Sequence, residues 1–447
     1  MWYTVYTVGR YHAIGLKKYR IYGESIDMNM IRGNAIIGQS GGPTAAINAT
    51  LSGVIRGALE AEQIDRIYGA VNGIEGILEE RITELNGQFA DEAALDALAH
   101  TPAAALGSCR KKLPAYAPDD PTYKKLFSVL QKYNIRYFFY IGGNDSMDTV
   151  AKLSYYAQMQ DYDIFVIGVP KTIDNDVCGT DHTPGYGSAA KYIAATMQEI
   201  IRDCAVYTVP AVTIVEIMGR DAGWLTAASA IPKKYCGVAP DYIYLPERPF
   251  DYQSFFADVE AALERHPNVV IAVSEGIRHA DGHYVGEGSQ SGAVDIFGHA
   301  YLSGTGRSLE AAVKQQFGCK VRSVELNIMQ RCASHLASAT DIAESVRVGR
   351  AAVACALEGK TAKMMAFARV SDEPYAVDIA EIDIATAANH VRAVPDAFIN
   401  EAGNNVTDAC IDYILPLCEG EIDLRYEHGL PVHFVIDKTP VSPAEKA

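Results

Sequence analysis

The run Pro170-Lys171-Thr172-Ile173-Asp174-Asn175-Asp176 brings a cation, a hydroxyl and two carboxylates into one short stretch of chain. It follows Ile164-Phe165-Val166-Ile167-Gly168-Val169, whose apolar composition predicts a buried strand. Charge delivered to the C-terminal end of a buried strand sits where open α/β sheets bind their ligands. One carboxylate can take a proton, another can hold a metal, and the lysine can face an anion. A solvated turn after a strand is the other reading these residues allow.

Further segments follow the same logic. Gly41-Gly42-Pro43-Thr44-Ala45-Ala46-Ile47-Asn48 stands between a strand and a helix. Its glycines permit a tight turn close to an anion, and the helix N-terminus adds N–H groups. It has neither the Gly-Lys-Ser/Thr of a P-loop nor Gly-x-Gly-x-x-Gly. Ile141-Gly142-Gly143-Asn144-Asp145-Ser146-Met147 repeats the arrangement, with residues that can cap a helix as well as bind. Leu106-Gly107-Ser108-Cys109-Arg110-Lys111-Lys112 suits a phosphate clamp, because arginine binds such groups bidentately. Glu216-Ile217-Met218-Gly219-Arg220-Asp221-Ala222-Gly223 places Arg220 just past a strand, and Val273-Ser274-Glu275-Gly276 places a carboxylate in the same way. Arg322 and the pair Gln330-Arg331 add cations. Singly, these are turns, caps or ion pairs; together they describe a cleft for two phosphorylated ligands and a divalent cation.

The elements that must position them alternate. Strand patterns cover 34–38, 136–141, 163–169, 211–217 and 268–273, and helical patterns cover 44–59, 147–158, 186–203 and 224–230. Such alternation predicts parallel sheet covered on both faces. The stretch after Asn327 reads as helix-rich and is expected to pack against the first half. The polar tail from Asp437, with two prolines, is expected to fray. Residues 1–30 are aromatic and basic, lack the apolar core of a signal peptide, and are set aside as an extension of unknown role; the working chain is expected to begin near Met30.

With 447 residues, 49% of them hydrophobic and 21% charged, the composition is that of a soluble globular protein of roughly two to three domains. A net charge of −16 argues against nucleic acid as a partner, while leaving room for a local positive cleft. Nine cysteines without a Cys-x-x-Cys pair suit a reducing, cytoplasmic setting with no disulfide framework or zinc site. No apolar run is long enough for a membrane span.

In order and in kind, these motifs, from Gly38 to about Arg350, resemble the phosphofructokinase family. The resemblance implies an α/β fold of two similar Rossmann-like three-layer domains with mostly parallel sheets and the active site in the cleft between them. The phosphoryl-donor domain would comprise 31–185 plus 331–395, and the sugar-phosphate domain 186–330 plus 396–447. The implied reaction phosphorylates O1 of fructose 6-phosphate with Mg²⁺. By position, Asp174 would be the general base. Thr172 and Arg110 would touch the transferred group, and Gly42 would offer backbone N–H groups to the phosphates. Asn144, Asp145 and Asp176 would serve the metal. Met218, Gly219, Arg220 and Glu275 would hold the sugar, with Arg322 and Arg331 on its 6-phosphate.

Asp145 and Lys171 stand where ATP-using members usually carry glycine, so the chain is similar to the pyrophosphate-dependent branch, whose reaction should run both ways. An aspartate there puts bulk and charge in the path of an ATP α-phosphate, and Lys171 offers a cation to a small anionic donor. Three departures stand beside the resemblance. Asn144 replaces the family's usual aspartate, Ala211 replaces a cross-subunit arginine, and the 326–331 segment lacks the usual glycine and histidine. Open alternatives are ATP as donor, another sugar phosphate such as sedoheptulose 7-phosphate, and a regulatory subunit that binds without turnover. The last is disfavoured by the presence of Asp174. A diacylglycerol- or NAD-kinase-like enzyme would share the Gly-Gly-Asp theme but not 170–176. Subunit-shared sites in the family imply a homodimer or homotetramer.

Overall fold

The computed structural model describes residues 31–89, 91–287, 304–387 and 391–443, so the extension at 1–30 lies outside the described residues. The strands of its two large sheets are β1 Gly33–Gln39, β2 Ile64–Ala70, β3 Ile82–Glu84, β4 Ile135–Gly142, β5 Phe165–Pro170, β6 Ala211–Ile217, β7 Tyr242–Tyr244, β8 Asn268–Ser274, β9 Lys320–Glu325, β10 Lys363–Asp372 and β11 Tyr375–Asp383. Seven form one sheet in the order β11-β10-β5-β4-β1-β2-β3, and four form a second in the order β7-β8-β6-β9. In the first sheet β5, β4, β1 and β2 run parallel, with β10 parallel to β5 and the edge strands β3 and β11 antiparallel. The second sheet is parallel throughout.

Both sheets are covered on two faces, and the alternation of side chains along each strand explains how. In β1, Ala35 and Ile37 join the core formed with helices Ile47–Glu60 and Ala339–Leu357, while Ile36 joins the opposite core with helices Pro121–Lys132 and Asn144–Met159. In β6, Val215 and Ile217 pack with helix Tyr186–Cys204, and Val212 and Ile214 with helices Tyr252–Arg265 and Thr305–Phe317. The chain leaves β1 for β2 on one side and returns as β4 on the other. The loops after β1 and β4 therefore diverge at a switch point and open a crevice.

Helices Ile47–Glu60 and Ala339–Leu357 approach each other through glycines. A Cβ on Gly53 would lie 2.1 Å from the Val346 carbonyl oxygen, and one on Gly349 would lie 2.3 Å from that of Thr50. Among the described residues no helix is long and apolar enough to cross a membrane.

Several expectations need correction. The first helix starts at Ile47, three residues later than its pattern suggests, because a turn over 40–46 intervenes. The second starts at Asn144, three residues earlier, with Gly143 as its cap. Beyond the 339–357 helix, which packs against the first half as expected, the chain forms the β10–β11 hairpin before short helices such as Asp408–Ile414 resume. The tail does not fray as far as it is described. The Asp437 carbonyl accepts from Thr83 Oγ1 at 2.8 Å, and Val441 N donates to the Ile82 carbonyl at 2.8 Å. It supplies partners to β3, a sheet edge that would otherwise leave backbone groups unpaired.

Candidate active site

The C-terminal ends of both sheets face one cleft of about 470 Å³. Gly42, Arg110, Asn144, Asp145, Lys171, Thr172, Asp174, Asp176, Met218, Arg220, Glu275 and Arg331 all line it. These residues come from seven separate segments, and the folded chain brings them to one place.

Three loops of the first sheet are knitted together. Gly41, at φ +79°, donates its N–H to the Cys109 carbonyl at 3.1 Å, and Ser108 Oγ donates to the Gly41 carbonyl at 2.6 Å. Lys171 Nζ donates to the Gly42 carbonyl at 2.6 Å, so the lysine ties the loop after β5 to the loop after β1. Gly142 has no room for a side chain, since a Cβ would meet Ser146 Oγ at 1.9 Å. The turn of Gly143 into the helix then presents the N–H groups of the first helical turn to the cleft.

Asn175, at φ +54°, reverses the chain locally between Asp174 and Asp176, and both carboxylates line the cleft. Its side chain is fully buried and its Oδ1 accepts from Thr183 N at 3.1 Å. Thr172 Oγ1 accepts from Asp174 N at 3.1 Å and lies 3.4 Å from Asp174 Oδ2. The electrostatics follow from burial. Burial pulls the Lys171 ammonium down to about 8 against the opposing pull of Asp174 and Asp176. Burial, with the Asp174 charge adding to it, pushes Asp176 up to about 7, and the Asp174 carboxyl is also raised by burial, opposed by Lys171. Glu275 is pushed up to about 8, first by burial and then by Asp174. Burial thus shifts all three carboxyls of the cleft upward, a perturbation of the kind that clusters at functional sites.

The oxygen donors fit a hard divalent cation. Asn144 Nδ2 lies 3.3 Å from Asp176 Oδ2, which orients the amide, and its buried Oδ1 has no hydrogen-bond partner among the described residues. Asp145 stands beside it at the rim. Among the described residues no group of three or more His, Cys, Asp or Glu could hold a metal by itself. An ion here would draw its remaining ligands from water and from phosphate oxygens, the usual habit of Mg²⁺.

Two predicted residues lie outside the lining. Gly219, at φ +139°, sits behind the cleft wall and its N–H donates to Glu275 Oε1 at 3.4 Å. Arg322 is not brought to the cleft. It stands near the start of β9, opposite Thr213, in a separate small depression with Ala211 and Lys320. The sequence reading missed Asp221, Val391 and Lys112. Asp221 lines the cleft and pairs with Arg278. Val391 also lines it, and Lys112 pairs with Asp145 at 3.0 Å. Asp221 follows Arg220 directly and was within reach of the motif, whereas Val391 arrives from far along the chain and carries no local signal.

The family model described as Phosphofructokinase matches residues 34–356. The chain is 43% identical over 416 residues to the pyrophosphate–fructose 6-phosphate 1-phosphotransferase of Xanthomonas campestris pv. campestris, covering 92% of this chain and 98% of that protein. It is 42% identical over 407 residues to the protein of the same name from Halomonas elongata, covering 90% and 96%. Among solved structures it is similar to a pyrophosphate-dependent phosphofructokinase from Nitrosospira multiformis, with a TM-score of 0.82, 36% identity and coverage of 93% and 98%.

Proposed function

The chain belongs to the phosphofructokinase family, and from that premise we propose that it transfers a phosphoryl group from pyrophosphate to O1 of fructose 6-phosphate. The products are fructose 1,6-bisphosphate and phosphate, and the reaction runs in both directions. The observation that carries the donor assignment is the end of the cleft where Asp145 stands in the first helical turn, bridged by Lys112, with buried Lys171 on the floor. That end suits a short, compact, highly charged donor.

Asp174 takes the proton from the sugar 1-hydroxyl, with Thr172 beside it. Arg110 and Lys171 face the charge on the transferred group, and the backbone at Gly42 lies against the donor phosphates. Asn144, Asp145 and Asp176 hold Mg²⁺ together with phosphate oxygens. The bound ion supplies charge neutralisation across the two phosphates. Phosphoryl transfer depends mostly on positioning and charge stabilisation, so this set suffices. Met218, Arg220 and Glu275 hold the sugar, with Gly219 behind them donating its N–H to Glu275. At neutral pH Glu275 keeps its proton and so meets a hydroxyl without repelling Asp174. Arg331 takes the 6-phosphate.

In this reading residues 31–185 with 331–395 form the donor domain and 186–330 with 396–447 the sugar domain, except that the tail at 434–441 packs back on the donor domain's sheet. Arg322 serves the cleft of a second copy in a homodimer or homotetramer. Lys320, directly opposite Ala211 in the strand register, then supplies the cation absent at that position. The enzyme would act in the cytoplasm, in glycolysis and gluconeogenesis. The test is a coupled assay of the purified chain with fructose 6-phosphate and Mg²⁺, comparing pyrophosphate with ATP. Turnover with pyrophosphate alone is expected. Turnover with ATP alone overturns the donor, and turnover with neither overturns the reaction.

A further inference from the structure

His182 is 2% exposed, and both of its ring nitrogens face carboxylate oxygens. Nδ1 lies 2.9 Å from Asp181 Oδ2, and Nε2 lies 2.7 Å from Glu344 Oε2. An ionised carboxylate only accepts, so two such partners require an N–H on each nitrogen and hold the ring as an imidazolium. The ring also stacks on Phe367, with centroids 4.5 Å apart.

The surrounding groups are themselves anchored. Asp181 Oδ2 accepts from Arg369 Nε on β10 at 3.1 Å, its carbonyl accepts from Tyr413 Oη at 2.6 Å, and Arg392 adds a more distant positive charge. Glu344 Oε1 accepts from Tyr375 Oη on β11 at 2.9 Å. Asp341, three residues before Glu344 on the same helix, accepts from Gly185 N at 2.9 Å and Ser188 N at 3.0 Å. The next residue in the chain, Thr183, reaches the catalytic loop. Its Oγ1 donates to the Thr172 carbonyl at 2.8 Å and its N–H to Asn175 Oδ1 at 3.1 Å. Thr172 N answers to the Pro184 carbonyl at 3.3 Å.

We infer that His182 is a positioning residue for turnover, a charged pin that ties the 339–357 helix and the β10–β11 hairpin to the segment on which Thr172, Asp174 and Asp176 are held. The inference rests on the transfer reaction proposed above. His182 touches neither substrate nor metal, and its effect runs through Thr183. Burial works against the charged ring, and Asp181 and Glu344 outweigh it, so the ring holds its proton above the ordinary histidine value. With the folded value raised, the pin is complete at and below the ordinary value and is lost as pH rises through the folded value.

Two variants of the full chain test this, His182→Gln and Glu344→Gln. His182→Gln keeps a donor and removes the charge. Its kcat should fall on the order of tenfold or more while the KM for fructose 6-phosphate stays within about twofold, since Met218, Arg220, Glu275 and Arg331 lie on other segments. Its melting temperature should fall below the wild-type value most at low pH, the gap closing as pH rises. Glu344→Gln keeps the hydrogen bond and weakens the hold on the proton. Its kcat should match wild type at pH 6.5, with the alkaline fall in kcat moved to lower pH by about one unit. Wild-type kcat in His182→Gln across the pH range, or losses confined to KM, overturns the inference. If His182→Gln fails to fold, an unmoved alkaline limb in Glu344→Gln overturns it instead. A wild-type chain without turnover on fructose 6-phosphate and pyrophosphate fails the reaction itself, which the variant-to-wild-type ratio does not measure.

Discussion

Lys112 Nζ lies 3.0 Å from Asp145 Oδ1 beside the cleft, so the carboxylate on which the proposed donor choice rests is paired. Both side chains are nearly half exposed, and such a pair is worth little in stability. Its consequence is for specificity. With the charge of Asp145 offset, bulk becomes the main obstacle to a longer donor. Asp145→Gly is expected to make ATP turnover measurable and Asp145→Asn to leave it undetectable. Adding Lys112→Ala to Asp145→Gly should lower kcat/KM for ATP again, because the variant then lacks a cation beside position 145, where the nucleotide phosphates would run. The kcat/KM values for ATP and pyrophosphate in the four proteins decide it; equal ATP use by the Gly and Asn variants would return the obstacle to charge.

Asp174, the base in the proposed reaction, lines the cleft with Thr172 Oγ1 at its side. Asp174→Ser and Asp174→Ala should lower kcat by about 10²–10⁴-fold with the sugar KM changed only a few-fold. Steady-state kinetics with fructose 6-phosphate as the varied substrate provide the check. A variant that turns over at the wild-type rate would remove Asp174 from the chemistry.

How far the sequence could be read follows from which interactions are local. The loops after β1, β4, β5, β6 and β8 were legible because each apolar strand ends abruptly in glycine and charge, and a parallel sheet sends all such ends to one edge. Arg322 was misplaced within the chain because closeness in sequence to Arg331 says nothing about direction. Arg322 lies in the first half of β9, and the rest of that strand carries the chain on toward the cleft before Arg331 is reached. The Lys112–Asp145 and His182–Glu344 pairs join residues 33 and 162 positions apart, and no local pattern announces either. The β10–β11 hairpin was hidden by the helix before it, and the docked tail by its prolines, which still leave Val441 N free to pair with β3.

The Asp176 carboxyl is pushed up to about 7 by burial and then by Asp174, so its proposed role as a metal ligand would tie metal binding to pH. The folded value lies above the unfolded one, so ionising this group costs stability. The cost is absent below the unfolded carboxylate value and grows as pH rises toward the folded value. A divalent cation relieves that cost above about pH 7 and must displace a proton below it. The rise in melting temperature on adding Mg²⁺ should therefore be larger at pH 8 than at pH 6. Thermal unfolding at both pH values, with and without the ion, provides the measurement; an equal shift at the two would uncouple Asp176 from the metal.

Gly349 tests the link between the scaffold and the site. Its Cα faces helix Ile47–Glu60 so closely that a Cβ would lie 2.3 Å from the Thr50 carbonyl and 2.8 Å from Val54 N, both backbone atoms that cannot rotate aside. The two helices must separate to accept even an alanine, and overpacking of this kind costs about 1–3 kcal/mol. The displaced helix also carries Asp341 and Glu344, which hold Gly185, Ser188 and His182 behind the catalytic loop. Gly349→Ala should therefore lower the melting temperature and kcat together. Gly318→Ala makes a fair comparison, because Gly318 has a φ of +64° that strains an alanine, whereas Gly349 is limited by packing, and nothing lies within 4 Å of the Gly318 Cβ position. It should lose stability alone. If Gly349→Ala melts early yet turns over at the wild-type rate in the cold, the helix supports the fold without positioning the loop.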